Sequence, residues 1–210
     1  MSTQAELVPK KLLVPFILIT SLFALWGFAN DITNPMVAAF KRVLELSNTQ
    51  ASWVQLAFYG GYFTMALPAT FFIKKYSYKT GVLLGLGLYG FGACLFYPAA
   101  ALESYGFFLA ALYILTFGLA FLETTANPYI LSMGSEETAT QRLNLAQAFN
   151  PMGALAGLFV AKTFILNNLQ SSATDESGKV YLFDGLDKTA KAAIRSNDLL
   201  VIRDPYVMLG

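Results

Sequence analysis

The chain has 210 residues and a formal net charge of +1; 56% of its residues are hydrophobic and only 13% are charged. A nearly neutral charge excludes the basic stripe that a nucleic-acid-binding protein needs, and the charged share is roughly half that of an average soluble domain. The sequence has no histidine, which is the usual proton shuttle and the commonest metal ligand, so no metal or cofactor is expected. The composition is typical of a membrane protein.

Five uncharged stretches follow one another along the chain, at residues 12–30, 51–73, 80–102, 105–122 and 143–161. Each meets or nearly meets the roughly 20 apolar residues that a helix needs to cross a bilayer. The polar segment at 167–204 cannot lie in hydrocarbon, because its backbone and side chains need water or protein partners. The sequence therefore predicts an all-α integral membrane protein with a five-span bundle at 12–166. Residues 1–11 would precede the bundle, and 167–204 would form an outer loop that can carry a short surface helix.

The basic residues predict that the N-terminus is cytoplasmic. In that orientation the inner loops carry Lys10, Lys11, Lys74, Lys75, Lys79 and Arg142. An excess of lysine and arginine on the inner side is the usual arrangement in membrane proteins. Residues 205–210 are interpreted as the truncated start of a sixth span with Pro205 in its first turn, so the chain is expected to be a fragment.

One acid interrupts the fourth span. Residues 105–133 contain a single charged residue, Glu123. An ionised acid at the centre of a membrane helix costs on the order of 3 kcal/mol even on lenient insertion scales. Such residues usually mark a substrate or ion pathway, so Glu123 is predicted to be functional.

A short phrase occurs in both the first and the fourth span. Residues 30–35 read "NDITNP" and residues 123–128 read "ETTANP", so each has an acid, a threonine and then Asn-Pro. A three-plus-three repeat would pair these spans, and polar, proline-interrupted segments at matching positions indicate a transporter's central site. Each proline removes a backbone donor, which predicts a bent or opened helix around a polar pocket. The alternative is a kink that only shapes packing.

Amides on the fifth span extend this pattern. Gln147 and Asn150 are three residues apart, and Asn144 continues the same helix face. Amides both donate and accept hydrogen bonds, which suits neutral, sugar-like ligands. Their alternative role is to join helices, at about 0.6 kcal/mol each. Trp26 and Tyr129 can stack on a sugar ring or simply pack.

These motifs resemble the L-fucose:proton symporter family of the major facilitator superfamily, which includes glucose/galactose transporters. The resemblance rests on "FALWGFAN", "PATFFIKKYSYKTG", "FLETTANPY" and "RLNLAQAFNPMGA", which occur in this order from the first span to the fifth. It implies twelve helices in two six-helix halves, with this chain as most of the N-terminal half. It also implies that Glu123 takes up the coupled proton and touches the sugar, and that Gln147 contacts the sugar.

The first span departs from the family's pattern. The family has an "ANNLND"-like phrase that ends in an acid, whereas this chain reads "ANDITN". The acid is therefore Asp31, and Asn34 occupies the acid's usual place. The two positions are nearly one helical turn apart, so Asp31 can serve the same cavity.

We expect a proton-coupled symporter of the inner (plasma) membrane that imports L-fucose or a related hexose by alternating access, and not an enzyme. The predicted proton-coupling residues are Glu123 and Asp31. The predicted sugar-binding residues are Glu123, Gln147, Asn30, Asn34, Asn127 and Asn150. The expected partners are the sugar, the lipid bilayer and a missing C-terminal half. A sodium-coupled or drug-type transporter remains an alternative, as does an intramembrane receptor or enzyme.

Overall fold

The computed structural model describes residues 6–175, 178 and 181–210, and at Asn34, Val37 and Leu209 it describes the backbone alone. Within these residues the chain is almost entirely helical. The α-helices are α1 (Leu13–Val43), α2 (Asn48–Lys75), α3 (Tyr78–Cys94), α4 (Phe96–Ala101), α5 (Tyr105–Ser132), α6 (Ala139–Gln147), α7 (Phe149–Val160) and α8 (Lys188–Leu209). A π-helical turn at Ala161–Ile165 extends α7.

Five helical segments are long and apolar enough to cross a membrane, as the sequence predicts. They cover Lys10–Val43, Asn48–Lys75, Tyr78–Ala101, Tyr105–Ser132 and Glu136–Asn168. The third segment joins α3 to α4, and the fifth joins α6 to α7. At 1.5 Å per residue each of them is long enough for a hydrocarbon core about 30 Å thick. The chain is thus a multi-pass membrane protein.

Short, capped connections set these spans side by side. Ser47 and Gln50 form a reciprocal capping box at the start of α2, with bonds of 2.9 and 3.2 Å between side chain and backbone. Ser77 accepts a hydrogen bond from the Thr80 backbone at the start of α3. These caps satisfy backbone donors that the first helical turn leaves free, so each helix begins directly after a tight turn.

The fourth span, α5, lies at the centre of the bundle. In its most apolar window 56% of the residues are buried, against 17–33% in the other spans. It packs on α2 and α3, while α1 packs on α7. Glycines allow the close approaches: a Cβ at Gly153 would lie 1.8 Å from the Ala24 carbonyl oxygen, and one at Gly92 would lie 2.3 Å from the Leu115 nitrogen. Small residues are a general means of close helix packing in membranes.

The pairing of spans agrees with the three-plus-three repeat. The first span packs against the fifth and the second packs against the fourth, which are equivalent pairs in such a repeat. The two prolines, Pro35 and Pro128, lie inside continuous helices, so of the predicted bent or opened helix the opened form does not occur. Side chains supply additional bonds nearby, because Thr33 donates to the Ala29 carbonyl and Asn127 donates to the Glu123 carbonyl.

The helix α8 corrects the predicted boundary at residue 205. The predicted surface helix and the predicted start of a sixth span are one helix, Lys188–Leu209, and Pro205 lies inside it. The helix begins early because Asp187 caps it, accepting a 2.7 Å hydrogen bond from the Ala190 backbone. Its other end is held in the bundle by Tyr206, which is buried and stacks on Phe96 at 4.1 Å.

The polar segment before α8 is docked on the end of the bundle where the first span ends. Asp198 is fully buried and accepts 2.9 Å hydrogen bonds from the backbones of Gln170 and Ser171. Glu45, which follows α1 in a left-handed conformation (φ 52°), pairs with Lys191 and Arg195. The hydrogen bond from Lys191 lowers the pKa of Glu45 below its usual value. These contacts therefore fix α8 both to the preceding polar segment and to the end of the first span.

A buried arginine, Arg142, joins the helices at the other end of the bundle. Arg142 in α6 has no exposed surface, and within the described residues its guanidinium donates to neutral acceptors alone. These acceptors are the backbone oxygens of Leu7, Ile130, Leu131 and Ser135 and the hydroxyl of Thr138. Two of them are in the last turn of α5, where a cation is favourable because it opposes the helix dipole. Arg142 thus joins the N-terminal segment to the fourth and fifth spans.

Candidate functional site: a cavity lined by two acids

The acid that interrupts the fourth span borders two neighbouring cavities. Glu123 is half-buried and lines one cavity of about 380 Å³ and another of about 410 Å³. Its backbone carbonyl accepts a bond from Asn127, but in the described part of the chain its carboxyl oxygens accept none. The carboxyl group is therefore available to a proton or to a ligand.

The first cavity brings the two predicted acids together. It lies between α1, α2 and α5, and its walls are formed by Trp26, Asn30, Asp31, Phe58, Tyr59, Tyr62 and Glu123. Asp31 and Glu123 belong to the two halves of the sequence repeat, so the repeat places one acid on each side of the same space. Neither cavity has a lysine or an arginine among its lining residues. The cavity is thus acidic and aromatic, with one amide at its wall.

The second cavity extends from Glu123 along α2 and α5. Asn127 and Thr124 line it beside the acid, together with aromatic and small side chains. Gln147 is exposed and does not line either cavity, but its amide nitrogen donates to the side-chain oxygen of Asn127 at 3.1 Å. Asn127 in turn donates to the Glu123 carbonyl at 3.2 Å. Three predicted site residues therefore form one hydrogen-bonded row.

The remaining predicted amides differ in position. Asn30 lines the first cavity. Asn150 donates a 3.2 Å hydrogen bond to the Phe23 carbonyl, which places this amide between α7 and α1. The side chain of Asn34 lies outside the described residues. Of the two predicted aromatic residues, Trp26 lines the cavity, whereas Tyr129 stacks on Tyr78 with their ring centres 5.3 Å apart.

Sequence reasoning missed Tyr62 as a site residue. Tyr62 lines both cavities, and its hydroxyl oxygen accepts a 2.7 Å hydrogen bond from the indole nitrogen of Trp26. The available signal was the spacing of Phe58, Tyr59 and Tyr62 on α2, because residues four apart share a helix face. That signal is weak in a chain in which 15% of all residues are aromatic.

The arrangement also limits the chemistry. Among the described residues no group of three histidine, cysteine, aspartate or glutamate side chains is placed to hold a metal ion. Two acids, amides and aromatic rings around a cavity between membrane-spanning helices can bind a cation or proton together with a polar ligand.

The fold and the cavity together are those of a multi-pass membrane protein that holds an acid-lined polar site between its spans. Residues 17–171 match the model of the Major Facilitator Superfamily, and the chain belongs to this family. This confirms the fold class and the family that the sequence motifs predict.

Curated relatives support the same placement. The chain is 61% identical over 206 residues to the L-fucose-proton symporter of Haemophilus influenzae, covering 98% of this chain and 48% of that protein. It is 38% identical over 197 residues to the L-fucose-proton symporter of Escherichia coli, covering 94% and 44%. It is 40% identical over 157 residues to the glucose/galactose transporter of Brucella abortus, covering 75% and 37%. The chain spans about half the length of the Haemophilus relative.

Solved structures agree on the fold. A crystal structure of the transporter FucP in the outward conformation matches with a TM-score of 0.77 at 38% identity, covering 94% of this chain and 46% of that one. A crystal structure of a variant of the E. coli fucose:proton symporter matches with a TM-score of 0.76 at 36% identity, with the same coverage.

Proposed function

We propose that this chain is the N-terminal half of a proton-coupled sugar symporter that imports L-fucose or a related hexose. The observation that carries the proposal is the shared cavity, in which Glu123 and Asp31 face one space between membrane-spanning helices. The similarity to proteins named L-fucose-proton symporter and glucose/galactose transporter supports the substrate class. The protein acts as a transporter and not as an enzyme.

Glu123 carries the coupled proton in this proposal. Its carboxyl group makes no hydrogen bond within the described residues, so a proton can bind there without displacing a partner. A protonated carboxyl donates one hydrogen bond, which a sugar hydroxyl can accept, whereas a carboxylate only accepts. Release of the proton on the inner side therefore changes the bonds to the sugar and weakens its binding. Asp31, in the same cavity, is the second proton-coupling residue.

The amides and aromatic side chains supply sugar recognition. Asn30 and Asn127 line the cavities beside Glu123, and their side chains can donate to and accept from sugar hydroxyls. Trp26 offers an apolar ring face, on which the C–H face of a hexose can stack. Gln147 fixes Asn127 and remains exposed, so it can also contact the sugar directly. Asn34 and Asn150 complete the proposed sugar-binding set.

Transport requires a second half. Since the chain spans about half of its curated relatives, we infer that a C-terminal half covers the open side of the cavities. Rocking of the two halves about the central site would expose it alternately to each side of the membrane, as in other transporters built from repeats.

The test is uptake of radiolabelled L-fucose into vesicles that contain the full-length transporter, with the external pH recorded. We expect an inward proton gradient to drive accumulation and the medium to become more alkaline when sugar is added. Accumulation that follows an imposed sodium gradient instead would assign sodium coupling. Absence of uptake for every hexose tested, with transport of an apolar drug, would replace the sugar symporter by a drug-type transporter.

A further inference from the structure

Tyr62 occupies the junction of the two cavities that border Glu123. It projects from α2, is half-buried, and contributes to the walls of both cavities. Glu123 is the other residue that both cavities share. Any ligand that fills the space next to the acid therefore also meets the phenol ring of Tyr62.

The direction of the bond between Trp26 and Tyr62 is fixed by chemistry. The indole nitrogen lies 2.7 Å from the phenol oxygen. Indole can only donate, so the oxygen of Tyr62 is the acceptor and the phenol keeps its own hydrogen. In the described part of the chain that hydrogen has no acceptor. The phenol is thus held in place as an unused donor at the cavity wall.

We propose that Tyr62 donates its hydroxyl hydrogen to one ring hydroxyl of the sugar bound beside Glu123, and that Trp26 orients it for this role. The inference rests on the proposed sugar-transport function. A phenol that accepts a hydrogen bond becomes a stronger donor, because hydrogen bonds in a chain polarise one another. The pair therefore selects sugars that present an acceptor oxygen at this one position.

A purely structural role for the same bond has a different signature. If the bond between Trp26 and Tyr62 only joined α1 to α2, loss of the bond would loosen the site and lower its affinity for all sugars alike. If Tyr62 contacts one sugar hydroxyl, loss of the phenol hydroxyl lowers the affinity only for sugars that carry that hydroxyl. Analogues of the sugar therefore separate the two roles.

The experiment compares Tyr62→Phe with the wild type in purified full-length transporter. Calorimetry would measure the binding of L-fucose and of a set of L-fucose analogues that each lack one ring hydroxyl. Tyr62→Phe keeps the ring and should weaken L-fucose about five- to tenfold, the usual effect of one neutral hydrogen bond. The analogue that lacks the hydroxyl contacted by Tyr62 should bind the variant and the wild type equally, because neither protein can make this contact with it. Trp26→Phe removes the indole donor, and its loss of affinity relative to the wild type should be smallest for the same analogue.

Tyr113→Phe is the matched control. Tyr113 is on α5, and its hydroxyl donates to Thr64 of α2 at 3.0 Å, so this variant removes a phenol hydrogen bond between α2 and another neighbouring helix, outside the cavities. It should bind every sugar as the wild type does. Unchanged binding of L-fucose by Tyr62→Phe, or an equal loss for all analogues, would overturn the role of Tyr62. Failure of the wild type to bind any hexose would instead overturn the proposed function, and this inference with it.

Discussion

The amide nitrogen of Gln147 donates a 3.1 Å hydrogen bond to the side-chain oxygen of Asn127. This bond joins α6 to α5 one turn from Glu123, whose backbone carbonyl accepts from the same Asn127 side chain. Gln147 therefore acts on the acid-lined site by holding Asn127 in one orientation.

We predict that Gln147→Ala weakens sugar binding about fivefold without unfolding the bundle. Alanine keeps the helix, and the change removes one amide contact together with the restraint on Asn127. Calorimetry on the purified full-length transporter would measure the change in Kd. Gln141→Ala is the control, since Gln141 is an exposed amide on the same helix. An unchanged affinity in Gln147→Ala would assign this residue to packing.

We predict that Glu123→Gln abolishes proton-driven accumulation of sugar but retains exchange of sugar across the membrane. Glutamine resembles the protonated acid, so the site can still bind sugar, but it cannot bind and release a proton. Accumulation against a gradient and counterflow would be measured in the same vesicles.

A second variant controls for general effects of removing a carboxyl group. Glu136 is exposed and precedes α6, so Glu136→Gln should accumulate sugar as the wild type does. Uphill accumulation by Glu123→Gln would show that another group, with Asp31 the first candidate, carries the coupled proton.

Much of the fold could be predicted from the sequence because its signals are local. Each span is one apolar run. A single acid such as Glu123 within such a run stands out, because an ionised acid in a membrane helix is energetically unfavourable. The predicted helix start at Pro205 is wrong, because the capping residue Asp187 lies earlier in the chain. A proline can lie inside a membrane helix, so Pro205 does not mark where α8 begins.

The partners of the site could not be predicted in the same way. Trp26 and Tyr62 are 36 residues apart, and only the packing of α1 on α2 brings the indole to the phenol. Asn150 shares a helix face with Gln147 by spacing, yet its amide is used by the Phe23 carbonyl. Which side chains of two helices meet depends on how each helix is rotated about its own axis. When several faces of a helix are apolar, the sequence pattern does not determine this rotation.

We predict that Arg142→Ala lowers the free energy of unfolding by about 3 kcal/mol or more, because several buried acceptors then lose their donor. Arg142→Lys should recover only part of this, since an ammonium group cannot reproduce the fork of the guanidinium. The apparent midpoint of thermal unfolding in detergent would report the change. Lys75→Ala, at an exposed position, should leave the midpoint unchanged. Equal midpoints for Arg142→Ala and Lys75→Ala would contradict the structural role.

The last prediction concerns the displaced acid of the first span. Asp31 lines the cavity with Glu123, while Asn34 stands where the family phrase that this sequence resembles is expected to end in an acid. We predict that the double change Asp31→Asn with Asn34→Asp retains more transport than Asp31→Asn alone. The two positions are about 4.5 Å apart along the helix axis and lie on similar faces, so an acid at either can serve the same space.

Initial rates of proton-driven L-fucose uptake by the wild type, both single variants and the double variant would form a complete cycle. Coupled neighbours typically differ from additivity by roughly 0.5–3 kcal/mol, which is an effect of about two- to 160-fold on a rate. Asn34→Asp alone adds a third acid beside Asp31 and Glu123, and like charges in one cavity oppose each other, so it should transport less than the wild type. If Asp31 only braces the packing of α1, the second change would rescue nothing, and the double variant would transport no better than Asp31→Asn.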